Sequence, residues 1–100
     1  MEKVKIGVVG CGAIAEGLHL PGIKSIEEMG KCELVAVCDV VEERARYIRD
    51  KFGVPAHYTD LGKMLAEADF DLLVNLTRIP EHFAVSLQGL QAGRHVYTQK

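Results

Sequence analysis

The sequence predicts an α/β fold, a doubly wound parallel sheet of about five strands with helices on both faces. Two observations predict it. Apolar runs of strand length alternate with longer stretches of helical period, which is how successive βαβ units read. The first run, Val4 to Val9, is apolar almost throughout, as a central strand covered on both faces must be.

The elements follow in order. After Val9 comes a Gly10-Cys11-Gly12 turn, and Ala13 to Met29 then carry Ile14, Leu18, Ile23, Ile26 and Met29 at mostly helical spacing. Pro21 lies inside that stretch and predicts a kink or a restart, because its ring removes a donor and crowds the preceding turn. Glu33 to Cys38 is the second strand, ending at Asp39. Glu42 to Phe52 is a helix with Ala45, Ile48 and Phe52 on one face, Gly53 as its C-cap and Pro55 forbidding resumption. His57 and Tyr58 form a short third strand. Thr59 or Asp60 starts a helix that reaches about Ala68. Asp71 to Leu76 is the fourth strand, Glu81 to Ala92 a helix stopped by Gly93, and His95 to Thr98 the fifth strand. Every crossover in such a sheet is expected to be right-handed.

Composition narrows the function. The chain has 100 residues, 48% of them hydrophobic and 26% charged, with a formal net charge of -2. That suits a single globular domain, and the absence of a basic excess or a Lys/Arg stripe argues against a nucleic-acid partner. Cys11, Cys32 and Cys38 show no Cys-x-x-Cys pair and no metal-ligand spacing with histidine, so they read as free thiols and no metal site is expected. The lead Met1-Glu2-Lys3 and the glycine-broken run after it are too short for a signal-peptide core or a membrane span. A cytoplasmic location with no membrane partner is expected.

Chemistry concentrates in three places. Gly10-Cys11-Gly12-Ala13-Ile14-Ala15 is a Gly-x-Gly-x-x-Ala turn between strand and helix, the Rossmann-type arrangement for holding a pyrophosphate. Gly10 permits the tight turn and Gly12 lets backbone approach the ligand. Ala15 stands where helix and strand pack closely. The first amides of the helix, from Ala13 and Ile14 onward, have no intrahelical partner and favour an anion. A purely structural glycine turn is the plainer reading.

Asp39, somewhat over twenty residues on at the end of the second strand, is placed to accept from the adenosine ribose hydroxyls. It also suits capping of the next helix, and the two roles are compatible. A carboxylate there repels a 2′-phosphate, so NAD is expected as cofactor and NADP is less favoured. Val40 and Val41 bring no compensating cation, and Arg44 brings one only if its side chain folds back. Beyond the fourth strand, Leu76 and Thr77 are expected to face the cofactor from the side opposite the glycine turn, and His82 lies close behind. Strand-end capping by Thr77 and a local hydrogen bond by His82 are the alternatives.

These residues, taken with His19-Leu20-Pro21, Val37-Cys38-Asp39, Glu43-Arg44-Ala45 and the terminal Val96 to Lys100, resemble the Gfo/Idh/MocA oxidoreductases. Leu76-Thr77 with His82 is similar to that family's Thr-Pro-x-x-x-His stretch, and Gln99-Lys100 to its Glu-Lys-Pro. The resemblance implies an NAD(P)-binding domain followed by a larger substrate domain. It implies hydride transfer between a nicotinamide and a hydroxyl-bearing carbon of a sugar, inositol or similar polyol, in a homo-oligomer. It makes Lys100 the catalytic candidate and Gln99 a cofactor contact. An ordinary solvated lysine is the alternative for Lys100. Arg78 in place of proline and Gln99 in place of glutamate depart from the pattern.

The resemblance also implies a chain cut short at Lys100, inactive alone. With strand order 3-2-1-4-5-6 the fifth strand would be a free edge, predicting self-association or loss of order after about Tyr97. Two other readings stay open at this point. One is a non-catalytic NAD(H)-sensing module. The other is a module for a different adenine ligand, such as coenzyme A or S-adenosylmethionine. A P-loop is excluded, since no Gly-Lys-Ser/Thr follows the turn.

Overall fold

Val4–Val9 forms β1, and after the glycine turn a π-helical segment, Ala15–His19, runs into α1, Leu20–Glu28. The computed structural model describes residues 3–13 and 15–98. Pro21 falls at the start of α1, directly after the π-helical segment. The wider π turn just before it is how the chain stays helical while its bonding starts afresh. The restart expected at Pro21 is therefore present, in π form.

The remaining elements are β2 (Cys32–Cys38), α2 (Glu42–Phe52), β3 (Ala56–Tyr58), α3 (Leu61–Glu67), β4 (Leu72–Asn75), α4 (Ile79–Gln91) and β5 (His95–Thr98). All strand pairs are parallel and their order is β3-β2-β1-β4-β5. Gly53 ends α2 at φ 65, and Gly93 follows α4 at φ 81. Asp60 caps α3 by accepting from the Gly62 amide at 3.0 Å. Several boundaries differ from expectation by a residue or two. Helix α4 begins at Ile79 rather than Glu81, because Pro80 is welcome in a first helical turn. Strand β4 is one residue shorter at each end, and the Asp71 and Leu76 amides still donate to the Lys5 and Val9 carbonyls of β1.

Two apolar layers cover the sheet. On one face Ile6, Val8, Leu34 and Val37 pack with Leu20 of α1 and Ile48 of α2. On the other, Val9, Ala36 and Leu73 pack with Met64 of α3 and with Phe70. Strand β2 changes phase between them. Ile6 pairs with Leu34 but Gly7 pairs with Ala36, so Val35 is an extra residue in the ladder. Before this bulge Cys32 and Leu34 face α1 and α2. After it Ala36 and Cys38 face the other way, and Val37 takes the α1–α2 side.

Candidate functional site

The site lies beyond the carboxyl ends of β1, β2 and β4, and Gly10 is its hinge. Gly10 has φ 99, and its amide donates to the Cys38 carbonyl at 2.8 Å, fastening the turn to the end of β2. A side chain here would collide with backbone: a Cβ would lie 2.7 Å from the Leu76 carbonyl carbon and 2.9 Å from the Thr77 nitrogen. Gly10 is therefore demanded by the fold itself. Gly12 is different. Its φ is not positive, and apart from its two chain neighbours no atom of the described residues lies within 4 Å of where its Cβ would be. Its amide has no acceptor among the described residues, while its carbonyl accepts from Glu16 as the helix begins.

The bulge in β2 decides where Asp39 points. Two residues beyond Val37, Asp39 falls on the α1–α2 side of the sheet, the side of the glycine turn. Its Oδ2 accepts from the Cys11 amide at 2.8 Å and its Oδ1 from the Val41 amide at 2.9 Å. The Cys11 amide, in the middle of the turn, is thus held by a side chain. Asp39 also does not cap α2. Val41 occupies the N-cap position without a side-chain bond, and Asp39 closes a turn one step earlier. Each of its oxygens keeps lone-pair capacity for a further donor such as a ribose hydroxyl. Val40 beside it is 87% exposed.

The third wall is organised by Asn75, a residue that sequence reasoning passed over. It is fully buried, and its Nδ2 donates to the His82 carbonyl and to Ser86 Oγ, both at 2.9 Å. Its Oδ1 accepts from the Thr77 amide at 3.1 Å and from Thr77 Oγ1 at 2.6 Å. The only signal was an amide closing an otherwise apolar strand, Leu72-Leu73-Val74-Asn75. Thr77 thus caps the strand end while its hydroxyl oxygen stays able to accept. Leu76 lies with its backbone against Gly10, so the β4 end and the glycine turn touch. His82 Nε2 is buried without a hydrogen-bond partner among the described residues.

The structure therefore brings Gly10, Asp39, Leu76 and Thr77 to one rim, with Gly12 and Ala13 opening the helical run there and Val40 exposed at its side. Ile14, Gln99 and Lys100 lie outside the described residues. Cys11 and Cys38 are buried at this junction, and burial pushes both thiols up to about 12, with the Asp39 carboxylate adding to the rise. They pack and do not attack. Among the described residues no three His, Cys, Asp or Glu side chains converge to hold a metal ion, and no helix is long and apolar enough to cross a membrane.

Arg44 completes the surroundings. Its Nε and Nη2 donate to the Cys11 carbonyl at 3.0 and 2.6 Å, and Nη2 also reaches Glu16 Oε1 at 3.3 Å. Glu16 in turn accepts from Tyr47 at 2.7 Å and from Lys51 at 2.6 Å. The Lys51 ammonium and the Tyr47 hydroxyl hold the Glu16 carboxyl down at about 2.

Comparison with known proteins gives a consistent picture. A family model for the Gfo/Idh/MocA group, described as an oxidoreductase family with an NAD-binding Rossmann fold, matches residues 4–100. The myo-inositol 2-dehydrogenase of Thermotoga maritima is 28% identical over 97 residues, which are 97% of this chain and 28% of that protein. The WlbA dehydrogenase of Bordetella pertussis, solved with NADH and UDP-GlcNAcA, superposes with a TM-score of 0.87 at 31% identity, covering 99% of this chain and 29% of that one. The scyllo-inositol dehydrogenase of Lactobacillus casei, solved with NAD(H) and scyllo-inositol, gives 0.87 at 26% identity over 99% of this chain and 28% of that one. The chain thus spans less than a third of the length of these relatives.

Proposed function

The chain belongs to the Gfo/Idh/MocA oxidoreductase family, and on that premise we propose that its rim holds NAD(H) for a dehydrogenase acting on a polyol, sugar or inositol-like substrate. One observation carries the reading. Among the described residues Gly12 is required neither by its φ nor by any atom beyond its chain neighbours, yet it stands with an unpaired amide between β1 and the first helix. A group arriving from outside and resting on backbone accounts for the missing side chain.

The residues fit the cofactor. Gly12 and Ala13 would present amides to the pyrophosphate, where the helix opening favours negative charge. Asp39 would accept from the ribose hydroxyls with the lone pairs its two backbone donors leave free. Val40 and Val41, both exposed, would offer apolar surface beside the adenine. Leu76 and Thr77 would bound the opposite wall. The bound nicotinamide supplies hydride chemistry, and the chain supplies the binding, the orientation and the exclusion of water on its side.

The whole-protein activity rests on relatives that are much longer than this chain. We take residues 1–100 as the nucleotide-binding part of an enzyme whose substrate domain lies elsewhere in sequence, with Lys100 as the candidate proton-relay group. The dehydrogenase relatives favour this over a non-catalytic NAD(H)-sensing module. Three buried thiols suit a cytoplasmic enzyme. A homo-oligomer is in keeping with β5, whose outer edge is unpaired among the described residues.

Calorimetric titration with NADH and NADPH tests the cofactor reading. NADH is expected to bind more tightly, and Asp39→Ala to weaken NADH and narrow the gap. A preference of the unaltered chain for NADPH would overturn it.

A further inference from the structure

The first cation after Asp39 in the sequence is Arg44 on α2, and the structure shows where it is spent. Arg44 grips the Cys11 carbonyl with two donors while Asp39 grips the Cys11 amide, so the two charges flank a single residue of the glycine turn. An arginine there is well placed to receive a 2′-phosphate on the adenosine ribose. It does not stand free. Glu16, on the π turn, reaches its Nη2, and the Arg44 guanidinium lies 5.2 Å above the Tyr47 ring. Tyr47 and Lys51 both donate to Glu16 Oε2 and so fix the carboxylate in its post.

Building on the NAD(H) reading above, we propose that Glu16 is a specificity-determining residue, a latch that occupies Arg44 and so denies this chain a 2′-phosphate site. Asp39 excludes that phosphate by repulsion. Glu16 excludes it by removing the cation that would compensate. The Glu16 side chain is 22% exposed and the Arg44 side chain 37%, so water does not fully screen their attraction. Lys51 and Tyr47 hold the Glu16 carboxyl down at about 2, which keeps the latch charged throughout the physiological range.

Two further features fit a latch better than a mere brace. The Cys11 carbonyl has a single oxygen, and Arg44 spends both Nε and Nη2 on it, while Nη1 has no hydrogen-bond partner among the described residues of this rim. A guanidinium so held can turn its remaining donors outward once the neighbouring carboxylate is gone, without surrendering the Cys11 contact. Arg44 also needs no backbone motion to do this, since it sits in the first turns of α2.

The test uses binding, not turnover. 5′-AMP and 2′,5′-ADP, which differ only in the 2′-phosphate, are titrated against the unaltered chain, Glu16→Gln, Glu16→Ala and the double variant Glu16→Ala/Arg44→Ala. Glu16→Gln keeps the shape and loses the charge, which guards against a fold effect in the alanine variant. Both single variants are expected to raise affinity for 2′,5′-ADP relative to 5′-AMP by about fivefold or more, the worth of one released charge-assisted contact. The double variant is expected to lose that gain. An unchanged ratio in both single variants, or a gain that survives loss of Arg44, would overturn the latch while leaving the NAD(H) reading intact. Failure of the unaltered chain to bind 5′-AMP at all would overturn both.

Discussion

A methyl group on Gly10 and a methyl group on Gly12 have opposite consequences. At Gly10 it would meet the Leu76 and Thr77 backbone in a conformation L-residues rarely adopt. Gly10→Ala is expected to destabilise the fold by about 2 kcal/mol or more, read from the shift in urea midpoint. At Gly12 the same methyl meets nothing. Gly12→Ala is expected to leave stability within about 1 kcal/mol of the unaltered chain and to weaken NADH at least about tenfold. Equal loss of stability at both positions would mean that Gly12 serves packing alone. The glycine pattern was legible in sequence, but this division of labour was not, because it depends on how closely the end of β4 approaches the turn. Asp39 was legible as a carboxylate at a strand end. Its hold on Cys11 was not, since one extra residue in β2 sets the side on which it emerges, and an almost wholly apolar strand carries no alternation from which to read a bulge.

At the scale of elements, two polar ties hold the rim together. Asn75, fully buried, joins the end of β4 to α4 through two hydrogen bonds and to Thr77 through two more. Asn75→Ala leaves the Thr77 amide and the His82 carbonyl without that partner. A loss of about 2–4 kcal/mol is expected in denaturant unfolding, and a loss below about 0.5 kcal/mol would show the network to be dispensable. Glu16 joins the π turn to α2. Its carboxyl titrates at about 2 in the folded chain against an ordinary 4.5, so the folded state holds its proton less readily than the unfolded one. The stability it lends is whole above about pH 4.5 and fades as the pH falls toward 2. Unfolding midpoints measured across that window are expected to fall less steeply for Glu16→Gln than for the unaltered chain, and parallel curves would remove Glu16 from the tie. The elements themselves were largely legible: caps at Asp60 and Gly53, the restart at Pro21 and all five strands follow from local chemistry. The ties were not: Glu16 bonds residues 28 to 35 positions away, and Asn75 bonds nearer residues but across the turn from strand to helix.

Across the whole molecule, the order β3-β2-β1-β4-β5 puts β1 at the centre and brings the ends of β1, β2 and β4 to one rim. That placement is what turns a glycine motif into a binding site, and the strand order 3-2-1-4-5-6 expected of a Rossmann-type sheet anticipated it. The core is sealed by its thiols. Cys11, Cys32 and Cys38 are at most 4% exposed, and burial raises all three thiols above their ordinary range. Labelling with a thiol reagent at neutral pH is expected to be negligible in the folded chain and to reach all three cysteines in denaturant. Rapid labelling of Cys11 in the folded state would mean that the rim opens far more readily than its packing implies.

The pyrophosphate cradle is tested most directly by following backbone amides in solution as NADH is added to the chain. The largest shifts are expected at Gly12 and Ala13, with smaller ones at Cys11 and Val41, whose amides are already held by Asp39. Saturable binding of NADH that leaves the Gly12 and Ala13 amides unmoved would contradict the cradle.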